Sequence, residues 1–206
     1  MMEFLHPESK FMEMLNKITD MMILNVIFII TSIPMITLGA SMTALYAVTL
    51  KLAEGEDVYI VRDYFDSFRK NFRKATFLWI ILLITGLIIA AETALLIAVD
   101  FQLKNLLLMV QGGLLLFYLI TFIITFPLVS VSDKGVVETL KAATGVPFQR
   151  FPEAMALIAL HAVPVVLTWF VFMVVPQVVM LWGFVGFAYI AYLSSYMPNR
   201  VFEKMD

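Results

Sequence analysis

The fold is decided by residues 21–50, which read MMILNVIFII TSIPMITLGA SMTALYAVTL and contain no charged side chain. Three further stretches, 75–99, 105–132 and 154–199, contain one charged residue between them, Glu92. A soluble helix interrupts its apolar residues every few positions to present a polar face to water. Because 62% of the residues are hydrophobic, only 15% are charged and the mean hydropathy is +0.93, we predict an integral membrane protein.

The apolar stretches set the number of membrane crossings. About 20 helical residues cross a hydrocarbon core about 30 Å thick. The stretch 154–199 is too long for one helix, so we expect it to turn at Val175-Pro176-Gln177. Four spans follow: 75–99, 105–131, 153–174 and 178–197.

The first stretch leaves two alternatives. Pro34 and Gly39 lie in its middle, within a partly polar segment, and this pattern predicts a helix break. Either 21–50 is one long, tilted span, or it belongs to a hairpin of two spans at about 9–33 and 38–54. The sequence therefore predicts a single domain over 1–206, an all-α integral membrane bundle of five or six transmembrane helices with amphipathic cytoplasmic segments.

The distribution of Lys and Arg predicts the orientation. Loops 51–74 and 132–153 and the C-terminal tail carry most of these residues, so we expect them on the cytoplasmic side of a bacterial plasma membrane. With the hairpin, 13 of the 14 Lys and Arg lie on that side, whereas a single first span leaves 11 there. The count favours the hairpin.

Sequence signatures of catalysis and of cofactor binding are absent. The chain has no P-loop, no G-x-S-x-G and no H-E-x-x-H motif, and it contains no Cys and two His. We therefore expect a non-enzymatic protein with no catalytic residue, no cofactor and no metal site. A net charge of −2 also argues against a nucleic-acid partner.

Segment 55–74 combines an apolar stripe with basic side chains at helical spacing. We predict an amphipathic helix that lies at the cytoplasmic interface. Its apolar stripe would seal the bundle or enter the lipid, or the segment would dock a cytoplasmic partner such as a transporter ATPase. The candidate docking face consists of Val61, Phe65, Phe68, Arg69, Phe72 and Arg73.

Four polar side chains inside or beside the apolar stretches are candidate intramembrane groups: Glu92, Gln111, His161 and Gln177. An ionisable residue within a membrane span suggests a functional site. In that interpretation Glu92, Gln111 and Gln177 would line a shallow external pocket. The alternative is that these groups hold helices together. For His161 that alternative predicts a hydrogen bond to a carbonyl freed by Pro164.

A set of short motifs in the first 80 residues is similar to one protein family. They are Leu24-Asn25, Ser32-Ile33-Pro34, Thr37-Leu38-Gly39-Ala40-Ser41, Ala44-Leu45-Tyr46, Tyr64-Phe65-Asp66-Ser67-Phe68 and Trp79. With a length near 200 residues, the chain resembles the YesL-like family of bacterial multi-pass membrane proteins.

The resemblance implies an accessory or regulatory component of a carbohydrate ABC importer, because members of this family are often encoded beside such transporters. The partners it implies are permease or ATPase subunits, besides the lipid bilayer. It implies no catalytic residues. The alternative function is a small, independent membrane transporter or channel that uses the intramembrane polar groups.

Overall fold

A computed structural model describes residues 10–100, 102–173 and 175–196. Within these ranges the chain forms seven α-helices and no strand: α1 Lys10–Ser32, α2 Leu38–Glu54, α3 Ile60–Ala98, α4 Lys104–Val131, α5 Val136–Gln149, α6 Phe151–Phe172 and α7 Phe187–Ser195. A π-helical turn at Trp182–Gly186 leads into α7, and short 3-10 turns cover Met35–Thr37 and Pro176–Val179. The predicted all-α membrane bundle is confirmed.

Six helical stretches in the described part of the chain are long and apolar enough to cross a membrane. They are Met14–Ser32, Met35–Glu54, Ile60–Ala98, Lys104–Val131, Phe151–Phe172 and Pro176–Ser195. Residue 9, where the first predicted span begins, and the C-terminal tail after Tyr196 lie outside the described residues.

The apolar run 21–50 contains two helices, and the chain turns at Pro34. Proline has no N–H to continue a helix and disfavours the helical conformation in the residue before it. Thr37 Oγ1 lies 2.6 Å from the Thr31 carbonyl oxygen and 2.7 Å from that of Pro34, so its one proton is shared between them. This hydroxyl therefore gives a partner to the Thr31 carbonyl, which the end of α1 leaves without a helical one.

α2 lies at the centre of the bundle, with α1, α3, α4 and α7 packed around it. α2 lies alongside the N-terminal half of α3. Near the C-terminal end of α2, Lys51 pairs with Asp63 of α3 at 2.9 Å. At the other end of α2, Gly39 lies against Ala75 and Trp79. Small residues at such positions let two helices approach closely.

α3 is one continuous helix of 39 residues. The expectation of a separate interfacial helix over 55–74 is wrong, since no Gly or Pro between Ile60 and Thr85 interrupts the helix. At 1.5 Å per residue α3 is about 58 Å long, nearly twice the hydrocarbon thickness. Its charged part, 60–74, therefore extends beyond the apolar part as a rigid continuation.

The end of the α3–α4 hairpin at which α3 ends and α4 begins extends away from the other helices. No residue from 83 to 98 in α3 is buried, and Gln111 is the one buried residue of α4 before Ile120. The side chains exposed there are mostly large and apolar. Such a surface suits contact with lipid.

Candidate docking surface and intramembrane polar groups

Tyr64 anchors the first part of α3 to the rest of the bundle. It is fully buried, and its hydroxyl shares a hydrogen bond of 2.6 Å with Thr31 at the end of α1. Its ring stacks on Phe68 at 6.3 Å and meets the edge of Phe65 at 5.6 Å. Phe65 and Phe68 are consequently half-buried against the core.

The remaining members of the predicted docking face point outward. Val61 is 51% exposed and Phe72 37%, and the side chains of Arg69 and Arg73 are exposed as well. The structure thus divides the predicted face into two Phe that seal the bundle and four residues that remain accessible.

Arg69 and Arg73 differ from their basic neighbours. Lys70 pairs with Asp133 at 3.1 Å, and Lys74 donates to the Ser132 carbonyl at 2.8 Å. Among the described residues, neither arginine has an ion pair or a hydrogen bond. Both border a shallow depression of about 360 Å³ whose floor includes Phe68 and Phe72.

The start of α3 is fixed by Asp63. Its carboxylate accepts hydrogen bonds from Lys51 Nζ at 2.9 Å and from the Tyr59 N–H at 2.8 Å. The hydrogen bond from Lys51 is the main reason why the pKa of Asp63 lies below its usual range. Asp63 therefore stays ionised at neutral pH and ties the end of α2 to the start of α3.

Gln111 joins the two helices of the α3–α4 hairpin. Its Nε2 donates to the Ile89 carbonyl and to Thr93 Oγ1, each at 3.2 Å. Glu92, the neighbour of Thr93, is exposed and forms no hydrogen bond or ion pair with any described residue. Gln177 is exposed in the turn Pro176–Val179.

His161 lies on α6 and bonds to α2. Its Nδ1 is 2.8 Å from the Leu157 carbonyl, and its Nε2 is 3.1 Å from the Tyr46 hydroxyl. The carbonyl is that of Leu157, one turn before His161, and not the one at residue 160 that Pro164 frees, so this part of the expectation is wrong. Among the described side chains, no hydrogen bond joins any two of the four candidate polar groups.

Sequence reasoning gave no role to Asn25, whose side chain bonds only to groups distant in the sequence. Its Nδ2 donates to the carbonyls of Trp182 and Gly183 at 2.8 Å, and its Oδ1 accepts from the Ala188 N–H at 3.0 Å. The signal was present, because a buried amide inside an apolar run needs partners on another helix. No group of three or more acidic or His side chains in the described ranges is placed to hold a metal ion.

Together these features define the class of the molecule, a multi-pass all-α membrane protein in which several polar side chains, among them Asn25, Tyr64 and His161, join neighbouring helices. Residues 21–93 match the model of the family described as "Protein of unknown function, DUF624". The matched segment contains the motifs on which the resemblance to the YesL-like family rests, and that resemblance is confirmed there. Comparison with curated proteins and with solved structures finds no match.

Proposed function

We propose that the protein is a non-enzymatic accessory or regulatory subunit of a bacterial carbohydrate ABC importer in the plasma membrane. Its class rests on the resemblance described above. In this proposal, residues 60–74 and the loop after α4 lie on the cytoplasmic side, as the distribution of Lys and Arg favours. The permease or the ATPase of the importer is the partner.

The observation that carries the proposal is the accessible pair Arg69 and Arg73. They lie one turn apart on α3, so their guanidinium groups are neighbours on the same face. Each guanidinium offers five donors in a planar fork that fits carboxylates, and arginine is enriched at protein interfaces. With Phe72 beside them, they suit a partner that presents an acidic side chain next to an apolar one.

An independent transporter has less support. A transport path needs polar groups that converge on one cavity or line one passage. Gln111 bonds within the α3–α4 hairpin, whereas His161 bonds to α2 on the other side of the bundle. These separate locations favour an accessory role.

The docking proposal is tested by crosslinking in native membranes, purification and mass spectrometry. We expect Arg69→Glu and Arg73→Glu each to lower the recovery of permease or ATPase peptides about tenfold, since a reversed interfacial charge costs on the order of 1.4 kcal/mol or more. Lys141→Glu makes the same charge change at an exposed position of α5 and should leave the recovery unchanged. Equal recovery from all three variants would contradict docking through this face.

The association with sugar uptake needs a separate measurement. Clean deletion of the gene should reduce uptake of the transported sugar, and the wild-type gene should restore it. Restoration by the Lys141→Glu variant but not by Arg73→Glu would connect the uptake defect to the docking face. Full uptake after deletion, with no transporter subunit crosslinked, would overturn the accessory role.

A further inference from the structure

Two cavities that border both α6 and the last helical stretch, Pro176–Ser195, share part of their walls, and the smaller one also reaches α1 and α2. The larger has a volume of about 460 Å³ and the smaller about 200 Å³. Val165, Trp182 and Phe187 line both of them. We call the two together the α6–α7 groove. The volume of its larger part lies within the range of small-molecule sites.

The groove is almost entirely apolar. Among the described residues that line it, none is charged. Thr168 and Trp182 are polar but bond to each other, with Trp182 Nε1 donating to Thr168 Oγ1 at 2.9 Å. The other polar groups of the lining are Tyr46 and His161, which lie together in the smaller cavity. The groove therefore has an apolar body and one polar end.

The donor and the acceptor in the hydrogen bond between Tyr46 and His161 can be assigned from the other partner of His161. A backbone carbonyl only accepts, so His161 Nδ1 carries the proton that bonds to the Leu157 carbonyl. The neutral imidazole then has its lone pair at Nε2, and Tyr46 donates its hydroxyl proton there. Both protons are used. Ser194 lies beside the Tyr46 oxygen but donates its own proton to the Ile190 carbonyl at 2.7 Å, so the Tyr46 oxygen keeps acceptor capacity. This end of the groove therefore favours a ligand that donates a hydrogen bond.

The mouth of the groove opens onto apolar surface. Val165 and Trp169 are 56% and 63% exposed, and both flanking helical stretches are long and apolar enough to cross a membrane. Water-soluble ligands would have to leave water to reach such a mouth, whereas lipids are already present. The absence of a charged lining residue disfavours anionic and cationic head groups, because a buried charge needs a partner.

We propose that the α6–α7 groove binds a neutral lipid alcohol. Its apolar chain lies along Val165 and Phe187, and its hydroxyl group donates a hydrogen bond to the oxygen of Tyr46. This binding site is independent of the docking face on α3 and does not rest on the accessory function. A single hydroxyl group matches the single acceptor position at the polar end.

The test uses the full-length protein in lipid nanodiscs and a long-chain alcohol that carries a photoactivatable diazirine in its chain. Irradiation followed by peptide mapping should place the label within 161–187. Val165→Trp fills the shared part of the groove and should lower labelling at least fivefold. Leu167→Trp makes the same change on the opposite face of α6, at a residue 57% exposed, and should leave labelling unchanged.

The hydroxyl contact is tested by competition. An unlabelled alcohol of the same chain length should compete at least tenfold better than the corresponding alkane or alkyl phosphate, and Tyr46→Trp should abolish the preference over the alkane. Thermal unfolding of each variant identifies any that fail to fold. Equal competition by alcohol and alkane in the wild type would mean that the groove holds ordinary acyl chains, and it would overturn the proposal, as would undiminished labelling of a folded Val165→Trp variant.

Discussion

Gly39 is the residue of α2 at which close packing against α3 requires the absence of a side chain. A Cβ atom there would lie 2.5 Å from the Ala75 carbonyl oxygen and 2.6 Å from the Cβ atom of Trp79. Both are parts of α3 that cannot rotate away. We expect Gly39→Ala to destabilise the protein by about 1–3 kcal/mol, because overpacking forces the two helices apart. Thermal unfolding in detergent or nanodiscs measures the effect.

Gly112→Ala is the matched control for this substitution. Gly112 is also helical, and a Cβ atom there meets nothing within 4 Å. Alanine is the better helix former by about 1 kcal/mol, so this variant should be at least as stable as the wild type. If both substitutions had the same effect, close approach of α2 and α3 at Gly39 would not be what requires glycine.

Single residues were the level at which sequence reasoning was least complete. It identified His161 as a hydrogen-bonded core residue among its alternatives, but not Tyr46 as its partner. Tyr64 and Trp79 were recognised as parts of motifs, and their burial was not predicted. The reason is physical, since hydropathy and spacing describe one helix at a time. Which side chains meet depends on how two helices rotate and slide against each other.

At the scale of elements, the last helical stretch depends on α1. Its π-helical turn, Trp182–Gly186, leaves backbone groups without their usual partners. Asn25 bonds to the Trp182 and Gly183 carbonyls in this turn and to the Ala188 N–H just after it, three hydrogen bonds in all. Hydrogen bonds between membrane helices average about 0.6 kcal/mol, so we expect Asn25→Leu to cost about 2 kcal/mol. Hydrogen–deuterium exchange should show faster exchange of the amides at 182–188.

Asn105→Leu serves as the control for that exchange measurement. Asn105 is exposed in the first turn of α4, so the same substitution there should leave the exchange of 182–188 unchanged. If the backbone amides at 182–188 remained protected in the Asn25→Leu variant, the π-helical turn would be stable without the side-chain amide of Asn25.

Two helix boundaries were predictable from a proline. Pro34 follows the end of α1 and Pro176 lies in the turn after α6, where the missing N–H removes a helical hydrogen bond. Proline alone does not decide a boundary, since Pro127, Pro147 and Pro164 lie inside α4, α5 and α6. The boundary expected near residue 74 was based on a change from charged to apolar residues. Such a change moves the side chains of a helix from water into lipid, but it does not interrupt the backbone hydrogen bonds. α3 therefore continues past residue 74.

At the scale of the whole molecule, the α1–α2 hairpin and the α3–α4 hairpin end at different positions along the axis of α3. Gly39, just after the α1–α2 turn, lies beside Trp79, whereas α3 continues for 19 more residues to Ala98. At 1.5 Å per residue, the loop after α3 is about 29 Å farther along the helix axis than the α1–α2 turn. Hydropathy finds both hairpins but contains no information about this offset, because it arises from packing between helices.

The offset predicts different access from water, and the chain contains no cysteine that would interfere with labelling. Met35 is 67% exposed in an apolar turn, and Gln102 is exposed in the loop after α3. If residues 75–98 cross the hydrocarbon, Gln102→Cys should react with a membrane-impermeant maleimide from outside intact cells at least tenfold faster than Met35→Cys. Glu56→Cys, in the loop between α2 and α3, should react only after permeabilisation. Equally rapid reaction of Met35→Cys and Gln102→Cys from outside would place both turns at the outer surface, which a straight α3 packed on α2 as described does not allow.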